Sequence, residues 1–290
     1  MSLTIEKARK WACNYFRGKN KINDIYAEID YILAYVLNFD RSVIYTYPEY
    51  ELTNSKAKEF KQLIKKRAEG IPYHYLTGEK EFMGFMFSVD ENVLVPRPET
   101  ELLVEECLKS IDELKEKHSP PLFVLEPFTG SGAVGLSLAI LQDELKIYAG
   151  DVSEEALNVS RKNKKKLQLS DEKIIFKKSD IFSSFPQNKG FHLIIANPPY
   201  IPTSEIKNLS DEVNKEPKIA LDGGEDGLYY YKKIKEEYKK YLTSDGIMLL
   251  EIGESQKQQL LELFLEEENA RVIRDLADRP RIIRVNSCWS

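Results

Sequence analysis

The sequence predicts an α/β protein: a doubly wound, mostly parallel sheet preceded by a small all-helical domain. Three observations carry that prediction. From Leu122 onward, short apolar runs alternate with helical stretches, as when strands cross over through helices. Before about residue 75 the apolar residues follow a helical period. Between these regions, Glu81 to Val95 sets aromatic and β-branched residues around Gly84 and the polar Asp90-Glu91-Asn92, which reads as a hairpin.

Taken in order, Met1 to Lys10 is expected to be an amphipathic helix, since it lacks the charged-then-apolar pattern of a secretion signal. Glu28 to Leu37 carries Ile29, Ile32, Leu33 and Val36 on one stripe. Tyr47-Pro48 separates it from a lysine-rich helix over Lys56 to Arg67, which Gly70-Ile71-Pro72 ends. There Phe60, Leu63 and Ile64 form the inward face and the lysines the wet one; contact with a polyanion is the competing reading. The expected division is a helical recognition domain over 1–78, a hairpin linker over 79–95 and the sheet domain over 96–290. Pro96-Arg97-Pro98 opens the last, and Glu99 to Leu108 restarts a helix.

In the sheet domain, Leu122–Leu125, Ile147–Ala149, Ile174–Phe176, Leu193–Ala196 and Ile247–Ile252 are the expected strands. Val272–Arg274 and Arg281–Val285 read as a closing antiparallel pair, and Val134–Leu141 as a helix. Ser153 is placed to cap the next helix, with Glu154 and Glu155 in its first turn and cations from Arg161 to Lys166 at its end, as the helix dipole favours. Ligands of such sheets bind beyond the carboxyl ends of the strands.

Composition narrows the class. The 290 residues are 42% hydrophobic and 31% charged, which suits a globular chain with a buried core. No apolar run approaches the ~18 residues of a membrane span. Cys13, Cys107 and Cys288 stand far apart, in neither a metal-ligand nor a disulfide pattern, so no metal is expected and a cytoplasmic location is. A net charge of −5 argues against a DNA-wrapping protein.

The first strand runs into Glu126-Pro127-Phe128-Thr129-Gly130-Ser131-Gly132. Glycines let the backbone turn tightly beside a ligand, and the following helix offers free N–H groups. Asp151 stands after the second strand, where a carboxylate accepts from ribose hydroxyls; Val152 follows it. Gly130, Gly132 and Gly135 also fit a dinucleotide fingerprint, so an NAD-linked oxidoreductase competes. Against it, three residues separate the strand end from the first glycine, and Glu126 would repel a pyrophosphate while suiting a sulfonium and an amine. Asp180 and Ile181, after the third strand, are placed to take an adenine amino group and ring.

Asn197-Pro198-Pro199-Tyr200 follows the fourth strand. Two prolines hold a stiff turn with free carbonyls. An amide nitrogen is planar and nearly non-nucleophilic, so two acceptors taking its N–H bonds would orient and activate it. The Asn197 side-chain oxygen and the Pro198 carbonyl are those acceptors, and Tyr200 is a flat ring able to stabilise passing positive charge. Displacement at a methyl group then rests on positioning and electrostatics. His74, His118 and His192 are read as scattered and structural.

The chain resembles the release factor glutamine methyltransferases of the HemK/PrmC family. The resemblance rests on Leu94-Val95-Pro96-Arg97-Pro98-Glu99-Thr100-Glu101, Thr129-Gly130-Ser131-Gly132 and Asn197-Pro198-Pro199-Tyr200-Ile201. Glu216-Pro217, Ala220-Leu221, Gly223-Gly224 and Asp226-Gly227-Leu228 extend it. It implies a five-helix N-terminal domain, a hairpin linker and a Rossmann-like seven-stranded domain that binds S-adenosylmethionine and releases S-adenosylhomocysteine. It implies N5-methylation of the glutamine in the Gly-Gly-Gln motif of peptide chain release factors, by a monomer without membrane or direct nucleic-acid partners. Catalysis would fall to Asn197, Pro198 and Tyr200, with Pro199 completing the substrate site. The cofactor would meet Glu126, Phe128, Thr129, Gly130, Ser131, Gly132, Asp151, Val152, Asp180, Ile181 and Asn197. Glu126, Phe128 and Ile181 depart from the usual family residues. The alternative is an adenine-N6 or cytosine-N4 nucleic-acid methyltransferase with the same Asn-Pro-Pro-Tyr chemistry, which would need base flipping and a basic cleft.

Overall fold

A computed structural model describes residues 3–17, 25–264 and 270–287. Cys288 and the first two residues of the expected opening helix, Met1 and Ser2, lie outside them. The chain divides into two compact units. The first holds the N-terminal residues through Glu79 together with Leu209–Lys215; the second holds Lys80–Asn208 and the chain from Glu216 onward.

The first unit opens with a short strand β1 (Leu3–Thr4), then α1 (Ile5–Phe16), α2 (Ile25–Leu37), α3 (Arg41–Thr46), β2 (Glu51–Leu52), α4 (Asn54–Ala68) and α5 (Tyr73–Thr77). The opening helix thus starts later than its periodicity suggests. Leu3 and Thr4 pair antiparallel with Leu52 and Glu51, and the Thr4 hydroxyl caps α1 at Lys7. Phe60 and Ile64 of α4 bury against Ile29, Ile32, Leu33 and Val36 of α2, as the stripes require. One basic residue of the lysine-rich helix is not on the wet face. Arg67 is buried and pairs with Glu28 (2.6 Å) and with Glu212 of the Leu209–Lys215 segment (2.8 Å).

A hairpin follows at the boundary, β3 (Glu79–Phe82) and β4 (Phe85–Ser88), all but Glu79 in the second unit. Its turn is Met83-Gly84, both at positive φ, not the polar Asp90-Glu91-Asn92. There follow α6 (Glu101–Lys115), β5 (Leu122–Glu126), α7 (Ala133–Leu141), β6 (Leu145–Asp151), α8 (Glu154–Lys166), β7 (Ile174–Lys178), β8 (Phe191–Ala196), α9 (Tyr229–Glu237), β9 (Leu242–Glu251), α10 (Lys257–Leu263), β10 (Ala270–Arg274) and β11 (Pro280–Asn286). Ser153 caps α8 as its position suggested, accepting from Ala156 N.

Seven strands form one sheet in the order β10-β11-β9-β8-β5-β6-β7. The five strands from β9 to the β7 edge run parallel, and β11 is antiparallel to both β9 and β10. Alternate residues serve opposite faces. Val124, Ile147, Leu193 and Leu249 pack with Leu103, Cys107 and Ile111 of α6 and Leu136 of α7. Leu125, Ile194, Met248 and Leu250 pack with Tyr231 and Ile234 of α9 and Leu260 of α10. Burial of both faces explains why these strands read as near-continuous apolar runs. The chain builds outward from β5 through β6 to β7, then returns to place β8 on the other side of β5. The carboxyl ends of β5 and β8 are therefore the switch point, where doubly wound sheets open a crevice.

Candidate active site

The loop leaving β5 is held from three sides. Its left-handed turns need glycine: Gly130 has φ +52° and Gly132 φ +82°. Asp151, at the end of β6, accepts from Gly130 N (2.9 Å) through one oxygen and from Ser153 N (3.0 Å) through the other. Ser160 of α8 donates to the Gly130 carbonyl (2.6 Å), and the Asn163 amide reaches the Ser131 carbonyl (2.9 Å). Phe128 is not among the described residues at positive φ; its ring sits edge-on to Tyr230, 5.3 Å between centroids. A side chain is tolerated at that position.

Glu126 lies buried beneath this loop. The Thr129 hydroxyl donates to it at 2.8 Å and Gly135 N at 3.3 Å. A Cβ on Gly135 would stand 2.3 Å from the Glu126 carboxylate, so this glycine makes room for the acid. Burial pushes the Glu126 carboxyl up to about 8 against those two hydrogen bonds, and nearby Asp151 adds to the rise. Burial raises Asp151 as well, against three backbone N–H bonds. Glu126, buried, and Asp151, part-buried, share one cavity wall; a cationic ligand would draw both toward their ionised forms and an anionic pyrophosphate would not, which disfavours a dinucleotide.

That cavity, about 340 Å³, brings together Glu126, Phe128, Thr129, Gly130, Ser131, Asp151, Val152, Asp180, Ile181, Asn197 and Pro199. Of the residues expected at the site, Gly132, Pro198 and Tyr200 are not in its lining. Gly132 sits against Leu136 instead, and Pro198 is buried. Tyr200 is half-buried, its hydroxyl pushed up to about 12 by burial, with Glu251 adding to the rise. Ile181 takes a positive φ of 48°, turning the chain after β7.

The segment after β8 is braced by residues remote in sequence. The carbonyl of Tyr200 accepts from Gln256 Nε2 (3.0 Å), and Ile201 exchanges backbone bonds with Leu221 and Gly223. A Cβ on Gly223 would lie 2.7 Å from Tyr200 Cα, so only glycine lets these backbones approach. Glu216, buried, accepts from Val95 N (3.0 Å) and from Arg97 (2.5 Å), which ties the Pro-Arg-Pro segment down. That segment supplies Arg97 and Thr100 to the cavity lining, and the later chain supplies Ile219, Tyr229 and Tyr230. Sequence reasoning assigned none of these five side chains a role at the site. Their pattern held no recognisable chemistry, although Arg97 and Thr100 lie in a motif it had singled out.

Two histidines read as scattered in fact meet: His118 and His192 rings are 4.5 Å apart, with His118 Nε2 2.9 Å from Asp245. Strand pairing brings His192 there; its Nδ1 accepts from Phe123 N at 2.9 Å. They lie where β8 begins, away from the cavity. Among the described residues, no group of three or more His, Cys, Asp or Glu could hold a metal, and no helix is long and apolar enough to cross a membrane.

A seven-stranded sheet of this order with an acid-walled cavity at its switch point, together with relatives named as methyltransferases, makes the protein an S-adenosylmethionine-dependent methyltransferase. Solved structures agree in fold. The hMettl16 catalytic domain, in complex with a MAT2A 3′UTR hairpin, superposes with a TM-score of 0.57 at 14% identity, covering 82% of this chain and 83% of that one. A methyltransferase from Pyrococcus furiosus gives 0.51 at 18% identity, covering 72% and 92%. The chain matches the PrmC N-terminal domain over residues 7–78 and the Methyltransferase small domain over residues 111–225. It is 37% identical to the release factor glutamine methyltransferase of Clostridium acetobutylicum over 88% of this chain and 87% of that one. With the enzyme of the same name from Bacillus cereus the identity is 33%, over 97% and 98%. The chain belongs to the release factor glutamine methyltransferase family.

Proposed function

We propose that this protein methylates the side-chain amide N5 of the glutamine in the Gly-Gly-Gln motif of peptide chain release factors, acting as a cytoplasmic monomer. The observation that supports it most is one cavity lined by both the β5 glycine loop and the Asn197 carboxamide. A donor site and an acceptor-bearing amide thus share a wall. The chain's relatives are named for methylation of a release factor glutamine, which supports this reading.

S-adenosylmethionine, when bound, supplies an electrophilic methyl group on a sulfonium. Phe128 to Gly132, Asp151, Val152, Asp180 and Ile181 would hold it, with Glu126 behind the loop as a buried acid that a nearby cation would draw toward its ionised form. The Asn197 side-chain oxygen and the Pro198 carbonyl accept the two N–H bonds of the substrate amide. That fixes its plane and raises electron density on nitrogen. Tyr200 is braced through its own carbonyl by Gln256, and its ring would lie beside the substrate. Positioning is the main source of rate here. Residues 1–78 would recognise the release factor, and 79–95 would join them to the catalytic residues 96–290.

The test is mass spectrometry of release factor after incubation with the protein and S-adenosylmethionine. One added methyl on the Gly-Gly-Gln glutamine is expected. Label from the donor found in nucleic acid and not in release factor would overturn the proposal.

A further inference from the structure

Asn197 carries the chemistry of this reading, yet a carboxamide has two nearly identical ends. Rotation by half a turn exchanges an acceptor for a donor at little steric cost. A substrate amide presents N–H groups, so an Asn197 turned the wrong way would meet it donor to donor. Something must decide which end faces the cavity.

The structure holds a device that does so. Asn197 Nδ2 donates to Thr100 Oγ1 at 3.3 Å, across a sequence separation of 97 residues. Ala196 of β8 is in register with Leu250 of β9, so the next position sets Asn197 beside Glu251 on neighbouring parallel strands. Paired residues of parallel strands share a face. Glu251 is buried, and Thr100 and Asn197 both lie close enough to its carboxyl to favour its ionised form. A carboxylate accepts and cannot donate, so the end of Asn197 that it favours facing it is the NH₂ end, the end that donates to Thr100. Glu251 Oε2 is buried without a hydrogen-bond partner, an acceptor that strongly disfavours an oxygen turned toward it.

The supports are themselves fixed. Tyr231 donates to the Glu251 carbonyl at 2.7 Å. Glu101, next to Thr100, accepts from Met83 N at 2.7 Å. Thr100 lines the cavity; Glu251 stands behind it.

We propose that Thr100 and Glu251 are positioning residues that together hold the Asn197 NH₂ group, so that Oδ1 is the atom turned to the cavity. Selection of a substrate that donates N–H follows from that orientation. The inference rests on the proposed glutamine chemistry.

The groups facing Glu251 are Glu99, Arg281, Tyr200 and Tyr231. Burial is the largest influence and pushes its carboxyl up to about 7, against nearby Thr100 and Asn197. The orienting form is the ionised one, so the methyl-transfer rate should rise with pH through about 7.

The experiment compares wild type, Thr100→Val, Thr100→Ser and Glu251→Gln on release factor. It measures kcat, KM for the donor, the pH profile, affinity for S-adenosylhomocysteine by calorimetry, and melting temperature. Thr100→Val and Glu251→Gln should each lower kcat by about 10²-fold, the scale of a misplaced reacting group. Affinity for S-adenosylhomocysteine should stay within a few-fold, Thr100→Ser should recover most of the rate, and Glu251→Gln should lose the rise near neutral pH. An active wild type matched by Thr100→Val, or a Glu251→Gln variant that is folded, fast and unchanged in pH profile, overturns this inference alone. A wild type that binds S-adenosylhomocysteine but leaves glutamine unmethylated overturns the proposed function, and this inference with it.

Discussion

Replacing Glu126 by glutamine keeps the shape of the side chain and removes its charge. Its carboxyl is held at about 8 because burial disfavours the ionised form. A folded-state pKa above the ordinary value means that the folded protein binds the proton more tightly than the unfolded chain. The associated stability is complete below about 4.5 and is lost as pH rises through about 8. Moving a carboxyl from 4.5 to about 8 corresponds to on the order of 5 kcal/mol lost across that window. Glu251 adds a smaller loss of the same sign, complete above about 7. Urea unfolding of the ligand-free protein at pH 5, 7 and 9 reads the effect directly. Wild type should weaken steadily over this range. Glu126→Gln should weaken much less and be the more stable of the two at pH 9. Its affinity for S-adenosylmethionine, by calorimetry at pH 9 where the wild-type carboxyl is ionised, should fall at least about 10-fold, because a negative charge near a cationic ligand is gone. The same pH dependence in both proteins would refute the reasoning, since the carboxyl would then not be titrating in the buried state described.

Three other outcomes follow from the geometry. Asn197→Ala should lower methyl transfer by at least about 10³-fold, two acceptor-dependent effects combined, while calorimetry shows S-adenosylhomocysteine binding within a few-fold of wild type. Gly223→Ala sets a Cβ 2.7 Å from Tyr200 Cα and should cost about 2–3 kcal/mol in denaturant unfolding. Arg67→Met leaves Glu28 and Glu212 without their shared cation and should cost about 3 kcal/mol by the same measurement.

How far the sequence could be read depended on the range of each interaction. Strands buried on both faces announce themselves, and so Leu122–Leu125 and Leu193–Ala196 were legible as apolar runs. Helix ends were legible where the cap is local, as at Ser153. The switch point followed from the alternation of strands and helices, and with it the regions to search. The opening strand was not legible, because Leu3 and Thr4 are extended only through pairing with Leu52 and Glu51. Arg67 carried the surface signature of its lysine neighbours, and only tertiary partners draw it inward. The glycine at position 135 read as part of a dinucleotide fingerprint; in three dimensions it clears space for the Glu126 carboxylate. Glu251 gave no signal and Thr100 only its place in a motif, because their significance lies in meeting Asn197; strand register brings Glu251 there.

The short excursion Leu209–Lys215 bears on how the protein can be taken apart. The polypeptide departs the catalytic unit after Asn208, contributes seven residues to the helical one, and resumes at Glu216. No single cut therefore yields two intact pieces. Removing the N-terminal residues through Glu79 would deprive Glu212 of the guanidinium it grips and Asp211 of the backbone it rests on at Gly70. That freed stretch begins only nine positions beyond Tyr200 and ends beside Glu216, the anchor of Arg97. Amputating the helices would loosen the tether of the methylating apparatus itself, so a shortened enzyme that has lost activity would not by itself reveal where the release factor docks.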